Sequence, residues 1–286
     1  MMTNVMQTTL TLDDIPDLLT LSKEVQWPDY STAELTFLLS NGQFTGFKTA
    51  KGQVIACAGL FQYDQMASIG AVIVSETYRG LGLARKMIET LLEQSDQHCP
   101  VVLTATALGQ PVYEKLGFQT VSHIHTYQSQ QPIPSAIEQA ERIHVSPYHE
   151  NEFSAIVAID QQSVGANRSS FLKSRIDRAT FAKIAKENTQ ETIGFGLGIE
   201  TPANLIIGPL TAKNKQTALA LVHTMISSFS GAVRLDMHEH TANLLHDTLL
   251  AAGFVKTSIS HFMMLRGNEK RNNENLLYFL ASQAFA

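Results

Sequence analysis

Apolar residues recur first with strand-like and then with helix-like spacing over the first half of the chain. Residues 5–10 alternate loosely and predict a strand, and apolar positions at helical spacing after Asp13 and Asp14 predict a helix over about 12–24. A second helix is predicted over about 31–40. Strands are predicted over about 43–50, 53–62 and 66–75, with turn signals at Asn41-Gly42, Lys51-Gly52 and Tyr63-Asp64-Gln65.

The helix that follows this meander has one continuous apolar face. Its members lie at i, i+3, i+4, i+7 and i+8 and are Ala84, Met87, Ile88, Leu91 and Leu92. A strand over about 100–105, a helix over about 109–117 that ends on Gly117, and a strand over about 118–127 complete the unit. This succession predicts an α+β fold in which a mixed sheet is flanked by helices.

The second half of the chain repeats the order of elements of the first. Between them, residues 129–140 hold Pro, Ser and Gln without periodicity, as is typical of a connection between compact units. Strands are predicted over about 142–146, 179–186, 191–199 and 203–211, and helices over about 149–162, 168–177 and 214–229. Ala218 matches Ala84 and Gly253 matches Gly117 in this repeat. We therefore predict two copies of one unit, over 1–130 and 140–286.

Composition and charge narrow the functional classes. The 286 residues are 44% hydrophobic and 16% charged, which is typical of a globular protein. A net charge of -5 supplies no basic field for a polyphosphate, so nucleic-acid binding is not expected. The two cysteines are too few for a disulfide scaffold, and no run of about eighteen apolar residues occurs. We expect a soluble cytoplasmic protein that does not enter a membrane.

The stretch Val72–Met87 carries the strongest chemical signal. A strand rich in β-branched residues runs into Arg79-Gly80-Leu81-Gly82-Leu83-Ala84 and directly on into the amphipathic helix. Glycines allow a close turn, N–H groups converge, and the helix N-terminus adds partial positive charge, which together predict a site for a pyrophosphate. A dinucleotide-binding fold would place this loop after its first strand, and a Walker loop would need Gly-Lys-Ser/Thr, which is absent.

Two ordered motifs resemble those of the GNAT acetyltransferase superfamily. Arg79-x-x-Gly82-x-Ala84 is similar to the acetyl-CoA signature of that family, and Gly109–Phe118 resembles the helix that packs along the CoA arm. The likeness covers about 5–127 in full, and the whole chain resembles tandem GNAT proteins whose second copy is degenerate. The resemblance implies an acyl-CoA-dependent N-acetyltransferase with acetyl-CoA as co-substrate and no metal.

The resemblance also implies roles for the residues of these motifs. Backbone groups of Val72, Ile73 and Val74 would bond the pantetheine arm. The pyrophosphate would lie against the loop and helix start, formed by Arg79, Gly80, Leu81, Gly82, Leu83, Ala84 and Arg85. Tyr113 would be the general acid, because a phenol at hydrogen-bond distance can stabilise or protonate a thiolate whose reference pKa is about 8.5.

The sequence gives less information about the general base and the site of the acceptor amine. Because 66–74 and 101–104 contain no Asp or Glu, no general base is assigned; Asp64, His123 and His125 are the nearest candidates, and each could be structural instead. The residues expected near the acceptor are Trp27, Tyr30, Phe61, Tyr63, Asp160 and Arg168. Each could also be a core, cap or surface residue. The expected acceptor is a primary amine of a small molecule or peptide.

The second copy lacks the chemical residues of the first. Asn214 and Gln216 replace the two loop glycines, and Leu249 replaces Tyr113, so we expect this domain to bind no CoA and to shape the acceptor site of the first. His238-Glu239-His240 looks like a metal triplet, but a strand-to-helix turn favours solvated side chains there. The alternative function is a non-catalytic, acyl-CoA-responsive regulatory protein. The expected state is a monomer or homodimer.

Overall fold

A computed structural model describes residues 5–138, 140–188, 191–267 and 276–285. The first half contains β1 (Val5–Thr9), α1 (Ile15–Glu24), α2 (Thr32–Asn41), β2 (Gln43–Thr49), β3 (Val54–Gln62), β4 (Ala67–Val74), α3 (Leu83–Gln94), β5 (Val101–Ala105), α4 (Gln110–Glu114) and β6 (Gln119–Ser129). The second contains β7 (His144–Pro147), α5 (Phe153–Val164), α6 (Ser169–Ile176), β8 (Phe181–Lys186), β9 (Thr192–Glu200), β10 (Leu205–Ala212), α7 (Lys215–Ser227), β11 (Val233–His238), α8 (Glu239–Ala251), β12 (Val255–Leu265) and β13 (Leu277–Phe279).

The predicted fold class is confirmed, with local differences. α4 ends at Glu114 and is shorter than predicted, because the chain turns toward β6 through Gly117, whose φ is 92°. The predicted linker packs against the second half: Ile137 is 2% exposed, and the Ile133 N–H donates to the Ala252 carbonyl. Residue 139 of that linker lies outside the described residues.

The described strands form one sheet of 13 strands in the order β1-β2-β3-β4-β5-β12-β6-β11-β10-β9-β8-β7, with β13 beside β10. Apolar residues of α3 and α4 pack in one cluster with β3, β4 and β5, and those of α7 and α8 in another with β10 and β11. A third cluster joins α1 and α2 to α5 and α6 of the other half. Because this third core is shared, the halves form one packed body.

The two halves exchange their last long strand. β12 of the second half inserts between β5 and β6 of the first, with His261 opposite both Ala105 and His123. β6 of the first half pairs in turn with β11 of the second, with Ile124 opposite His238. Each half therefore completes its sheet with a strand of the other. Nothing in the alternation of apolar residues along β6 or β12 predicts this exchange.

Ion pairs also cross between the halves. Arg175 of α6 is fully buried, and its guanidinium donates to both oxygens of Glu34 in α2, at 3.0 and 3.1 Å. Arg178 donates to the same carboxylate at 3.1 Å. Removing one partner from such a buried pair leaves an uncompensated charge, which costs about 3–5 kcal/mol. These contacts fix α2 against the second half.

Candidate active site

The centre of the first half is a gap that opens between β4 and β5. The two strands pair only from Ala67 to Ile69 and then diverge. At that point β4 has a bulge, because Gly59 faces Gly70 while Cys57 faces Ile73. Beyond the bulge, Val72–Val74 pair with β3, and no described strand pairs with their other edge. We call the space beside this free edge the first slot.

A positive φ at the bulge adds strain to this part of the strand. Ala71 has a φ of 52°, a conformation that costs a non-glycine residue about 1–2 kcal/mol. Its carbonyl accepts a hydrogen bond from the Cys57 thiol at 3.3 Å, and burial raises the pKa of that thiol to about 12. Such strain is often kept where a ligand requires a particular backbone shape.

The loop after β4 has the shape of an anion site. Gly80 and Gly82 have φ values of 80° and 73°, and a Cβ at either position would meet no atom within 4 Å. α3 begins directly afterwards at Leu83, with no acidic residue in its first turn. The free N–H groups of that turn therefore face open space beside the first slot.

The arginine of this loop and the one in the first turn of α3 already have partners. Arg79 pairs with Glu76 at 3.1 Å, and Arg85 pairs with Glu89 at 2.8 Å. All four side chains are at least 40% exposed. Exposed pairs of this kind contribute about 0–1 kcal/mol, so an incoming anion could take over either arginine at little cost.

Tyr113 lies on the same face of the sheet as α3. It is 6% exposed and belongs to the apolar cluster that contains Leu83, with Val72 and Val74 packed at its edge. Its ring lies against Gly109, where a Cβ would come within 3.0 Å of the ring. The hydroxyl makes no hydrogen bond with the described part of the chain, and burial raises the pKa of this phenol above its usual value. The phenol therefore stays protonated.

The opposite face of the bulge is lined by the connection between α1 and α2. Tyr30 packs against Trp27, with ring centroids 5.8 Å apart, and no described residue hydrogen-bonds its hydroxyl. Burial raises the pKa of Tyr30, and the Cys57 thiol, Glu34 and Asp29 act in the same direction. Both predicted aromatic residues of this connection, Trp27 and Tyr30, pack against the apolar cluster that contains Ala71 and Ile73 of the bulge.

Asp29 of the same connection is held by the second half. Its carboxylate accepts from Arg234 at 2.9 Å, from Thr201 at 2.7 Å and from Asn204 at 3.0 Å. Arg234 also donates twice to Asp236, at 2.9 and 3.1 Å. Sequence reasoning missed this group, although two opposite charges, Arg234 and Asp236, among the apolar residues of 233–237 are a signal that could have found it.

Three predicted substrate residues lie in the interior instead. Phe61 is 1% exposed and packs edge-on against Phe44 and Phe285, so it offers no surface to a ligand. Asp160 and Arg168 form a bidentate pair at 2.7 and 2.9 Å, with side chains 1% exposed. We correct their interpretation from substrate contacts to core packing and a buried ion pair.

Tyr63 and the three candidate bases also have structural surroundings. The ring of Tyr63 packs against Phe171, and burial raises its pKa to about 12. The Asp64 carboxylate accepts from the Asn167 N–H at 2.7 Å in the turn between β3 and β4. His123 and His125 face Glu239 of α8, at 3.4 and 4.0 Å, and burial lowers the pKa of His125. None of these groups is assigned as a base.

The equivalent gap in the second half is filled by the chain itself. β10 pairs with β11 only at Leu205 and Ile206, and a bulge follows between Ile207 and Leu210. Beyond it, β13 pairs with the edge of β10, with Phe279 opposite Leu210. We call this space the second slot.

The loop and helix beside the second slot also lack the features of the first. Asn214 caps α7 by accepting from the Thr217 N–H at 2.9 Å. Among the described residues 213–216, none has a positive φ. Leu249 is fully buried in the apolar cluster of the second half.

The possible metal triplet does not form a site. His238 ends β11 and is 6% exposed, with its ring edge-on to Phe262, so the expectation of a solvated side chain is wrong for this residue. Within the described ranges, no group of three or more His, Cys, Asp or Glu residues could hold a metal ion. The helices described here are also too short or too polar to cross a membrane.

Known proteins resemble both halves of the chain. The acetyltransferase (GNAT) family matches residues 12–118, and an acetyltransferase (GNAT) domain matches residues 156–279. A Bacillus subtilis (strain 168) protein described as the uncharacterized N-acetyltransferase YitH is 34% identical over 275 residues, which cover 95% of each chain.

Solved structures share the fold of the whole chain. A Pyrococcus horikoshii protein has a TM-score of 0.80 at 19% identity, over 100% of this chain and 97% of that one. A tandem GNAT protein from the clavulanic acid biosynthesis pathway has a TM-score of 0.68 at 11% identity, over 93% and 99%. A GCN5-related N-acetyltransferase from Sphaerobacter thermophilus has a TM-score of 0.64 at 16% identity, over 91% and 95%.

These matches agree with the geometry of the first slot and with the repeat of one fold. GNAT enzymes act on amines with acetyl-CoA, and both halves of this chain match their domains. The chain therefore belongs to the GNAT acetyltransferase family, as a tandem N-acetyltransferase with two GNAT domains.

Proposed function

We propose that the first half binds acetyl-CoA and transfers its acetyl group to a primary amine of a small molecule or peptide by direct attack in a ternary complex. The observation that carries this proposal is the first slot. There, the edge of Val72–Val74 that no described strand pairs leads into the open loop at Gly80 and Gly82, and Tyr113 belongs to the apolar cluster against which Val72 and Val74 pack. We draw the catalytic domain as residues 1–130 and the degenerate one as 140–286.

The residues beside the first slot fit this co-substrate. Backbone groups of Val72, Ile73 and Val74 need hydrogen-bond partners on their free edge, which an extended amide-bearing arm provides. The first-turn N–H groups of α3 can hold a pyrophosphate, with Arg79 and Arg85 turning toward it from their exposed pairs. Acetyl-CoA, when bound, supplies an acetyl thioester.

Tyr113 assists the departure of the thiolate. As the acceptor nitrogen forms its bond to the acetyl carbon, the carbon–sulfur bond breaks and the phenol donates its proton toward the sulfur. Because burial raises the pKa of this phenol above its usual value, the proton is present at neutral pH. β4 and β5 carry no carboxylate, so the proton of the amine passes to water.

We assign no co-substrate site to the second half. β13 lies along the edge of β10 on which a second pantetheine arm would have to bind, and Asn214 stands where the loop would need glycine. We therefore propose one acetyl-CoA per chain, bound in the first half.

Calorimetric titration with acetyl-CoA, followed by thiol release with a panel of amines, tests the proposal. The expected result is one binding site per chain and thiol release that depends on an amine. Binding without turnover across a broad panel would instead support an acyl-CoA-responsive regulatory protein. Absence of acetyl-CoA binding would remove both functions.

A further inference from the structure

The exchanged strands bring second-half residues to the open end of the first slot. β12 continues beyond the end of β5, because His261 already faces Ala105, the last residue of β5. β6 and β11 follow, with Thr126 opposite Asp236. The Asp236 side chain thus lies at the end of the sheet where β4 and β5 have diverged.

Gln283 connects this row of strands to β4. Its side-chain amide donates to Asp236 at 2.9 Å and to Thr126 at 3.0 Å. The carbonyl of the next residue, Ala284, accepts from Ser68 of β4 at 3.0 Å. The segment that leaves the second slot therefore passes beside the bulge of the first, where Ala284 lies against Gly70.

Arg234 links Asp236 to the connection between α1 and α2. Asp236 is fully buried and accepts four hydrogen bonds, two from Arg234 and one each from Thr126 and Gln283. The remaining terminal nitrogen of Arg234 donates to Asp29, at 2.9 Å. Asp29 precedes Tyr30, which packs against the apolar cluster that contains Cys57, Ala71 and Ile73 at the bulge.

This group has an uncompensated negative charge. One guanidinium faces two carboxylates, so the formal sum is one negative charge. The Asp236 side chain is 0% exposed and the Asp29 side chain 17% exposed, so Asp29 is the carboxylate that a ligand can reach. Two other buried carboxylates of this interface carry no surplus negative charge. Asp160 is paired with one arginine, and Glu34 is paired with two.

We infer that the second half builds the acceptor end of the first site. Arg234 is anchored on Asp236 and holds Asp29 and Tyr30 over the slot. The negative charge left on Asp29 selects an acceptor with a second, non-reacting ammonium group. Arg234 is a positioning residue, and Asp29 contacts the acceptor. This inference rests on the proposed function and names its substrate class, a diamine-like cation.

A matched pair of amines tests the charge of Asp29. With 1,5-diaminopentane and pentylamine as acceptors, thiol release by the wild type should show a kcat/KM about tenfold or more higher for the diamine. Asp29→Asn removes the charge and keeps the shape. It should abolish the preference by raising the KM of the diamine. The KM of pentylamine and the affinity for acetyl-CoA should not change.

Asp64→Asn is the control, because it makes the same atomic change in a carboxylate that also reaches the other half, but in the turn between β3 and β4. It should leave the kcat/KM values of both amines unchanged. Equal turnover of the two amines by the wild type, or an Asp29→Asn effect of the same size on both, would overturn the inference while leaving the acetyltransferase proposal intact. Acetyl-CoA binding without thiol release from any amine would overturn both.

Arg234→Lys tests the positioning role. Lysine keeps the charge but cannot span Asp29 and Asp236 with paired hydrogen bonds. Acceptor KM values should rise about tenfold for both amines while kcat changes little, because Tyr113 and the slot are untouched. A fall in kcat with unchanged KM would contradict positioning. Thermal unfolding shows whether Arg234→Lys is folded. If it is not, the Asp29→Asn variant still tests the inference.

Discussion

The first and second slots share a backbone geometry and differ in what lies along their free edge. Each follows a parallel pairing of a few residues, a bulge, and the divergence of two strands. Beside β4, no described strand covers Val72–Val74, and the loop beyond is open. Beside β10, β13 covers Leu210 and Thr211.

This difference shows how a copy can lose a ligand and keep its fold. Buried strand edges must be hydrogen-bonded, so a slot that binds nothing has to be filled in another way. β13 supplies both hydrogen bonds and apolar side chains: Tyr278 is 4% exposed and Phe279 is fully buried. Gly208 at the bulge permits this, because a side chain there would collide with the backbone of Leu280. The occupied slot has become part of the core.

The largest expected effect concerns the dependence of one half on the other. A chain that ends near residue 130 keeps β6 without β11 and β12, its two neighbours, and leaves the edge of β5 bare. We expect such a chain not to fold and not to bind CoA, although separate domains would predict that it does. Co-expression of residues 1–138 with 140–286 should give a soluble complex that binds about one CoA per pair.

Size-exclusion chromatography and titration with acetyl-CoA check this prediction. A folded, monomeric fragment 1–138 with the affinity of the whole chain would contradict it, because the strand exchange would then be dispensable. Failure of the two co-expressed fragments to associate would contradict it as well.

The next largest effect concerns the open loop of the first slot. Gly82→Asp places a carboxylate where the pyrophosphate is expected and imposes a strained φ. We expect a loss of CoA affinity on the order of several kcal/mol, at least about 10²-fold in Kd. Gly52→Asp is the control, because Gly52 has a φ of 86° and equally open surroundings in the turn between β2 and β3.

Both variants carry the same backbone strain, so their Tm values should fall by similar amounts. Only Gly82→Asp should lose acetyl-CoA binding in calorimetry. Similar affinities in the two folded variants would remove this loop from the site.

A smaller effect is expected at the tyrosine that the second half lacks. Tyr113→Phe should lower kcat by about 10²-fold with little change in acetyl-CoA affinity, as for loss of a positioned acid. Because burial raises the Tyr113 pKa, we expect this phenol to cause no alkaline loss of activity up to about pH 9. Steady-state kinetics across pH check both statements.

Tyr127→Phe is the matched control on β6. It removes a hydroxyl that hydrogen-bonds His246 at 2.8 Å on the side of α8. The expected cost is about 1 kcal/mol of stability, with full turnover. Full turnover of Tyr113→Phe would mean that Tyr113 only packs in the core, like Phe118, whose ring centroid lies 6.1 Å from that of Tyr113.

Local pattern was sufficient to predict the elements of the first half and the open glycine loop before α3. The meander, the glycine loop and the helix of Tyr113 depend on periodicity and on residues close in sequence. Pattern could not predict which strands are neighbours, because alternation along β6 and β12 indicates a buried face and not a partner. β13 has three residues and carries no periodic signal.

The charged group that we propose as the acceptor end escaped sequence analysis for the same reason. Asp29 and Arg234 meet only after the whole sheet has formed, and their pairing is one of many that their charges allow. Phe61, Asp160 and Arg168 were wrongly expected at the substrate, because residue type alone does not distinguish a buried pair from a ligand contact. Burial distinguishes a core ion pair from a ligand contact, and the burial of these residues depends on packing between the two halves.

The smallest expected effect is the restoration of glycine beside the second slot. Asn214→Gly with Gln216→Gly recreates the loop composition of the first half and costs about 1–2 kcal/mol, because a helix cap and a helix-forming residue are lost. We expect titration still to give about one CoA per chain. β13 covers the edge that a second pantetheine arm would need, so the missing glycines are not what excludes CoA. A second CoA bound by this variant would mean that β13 yields to a ligand and that the loop alone distinguishes the two slots.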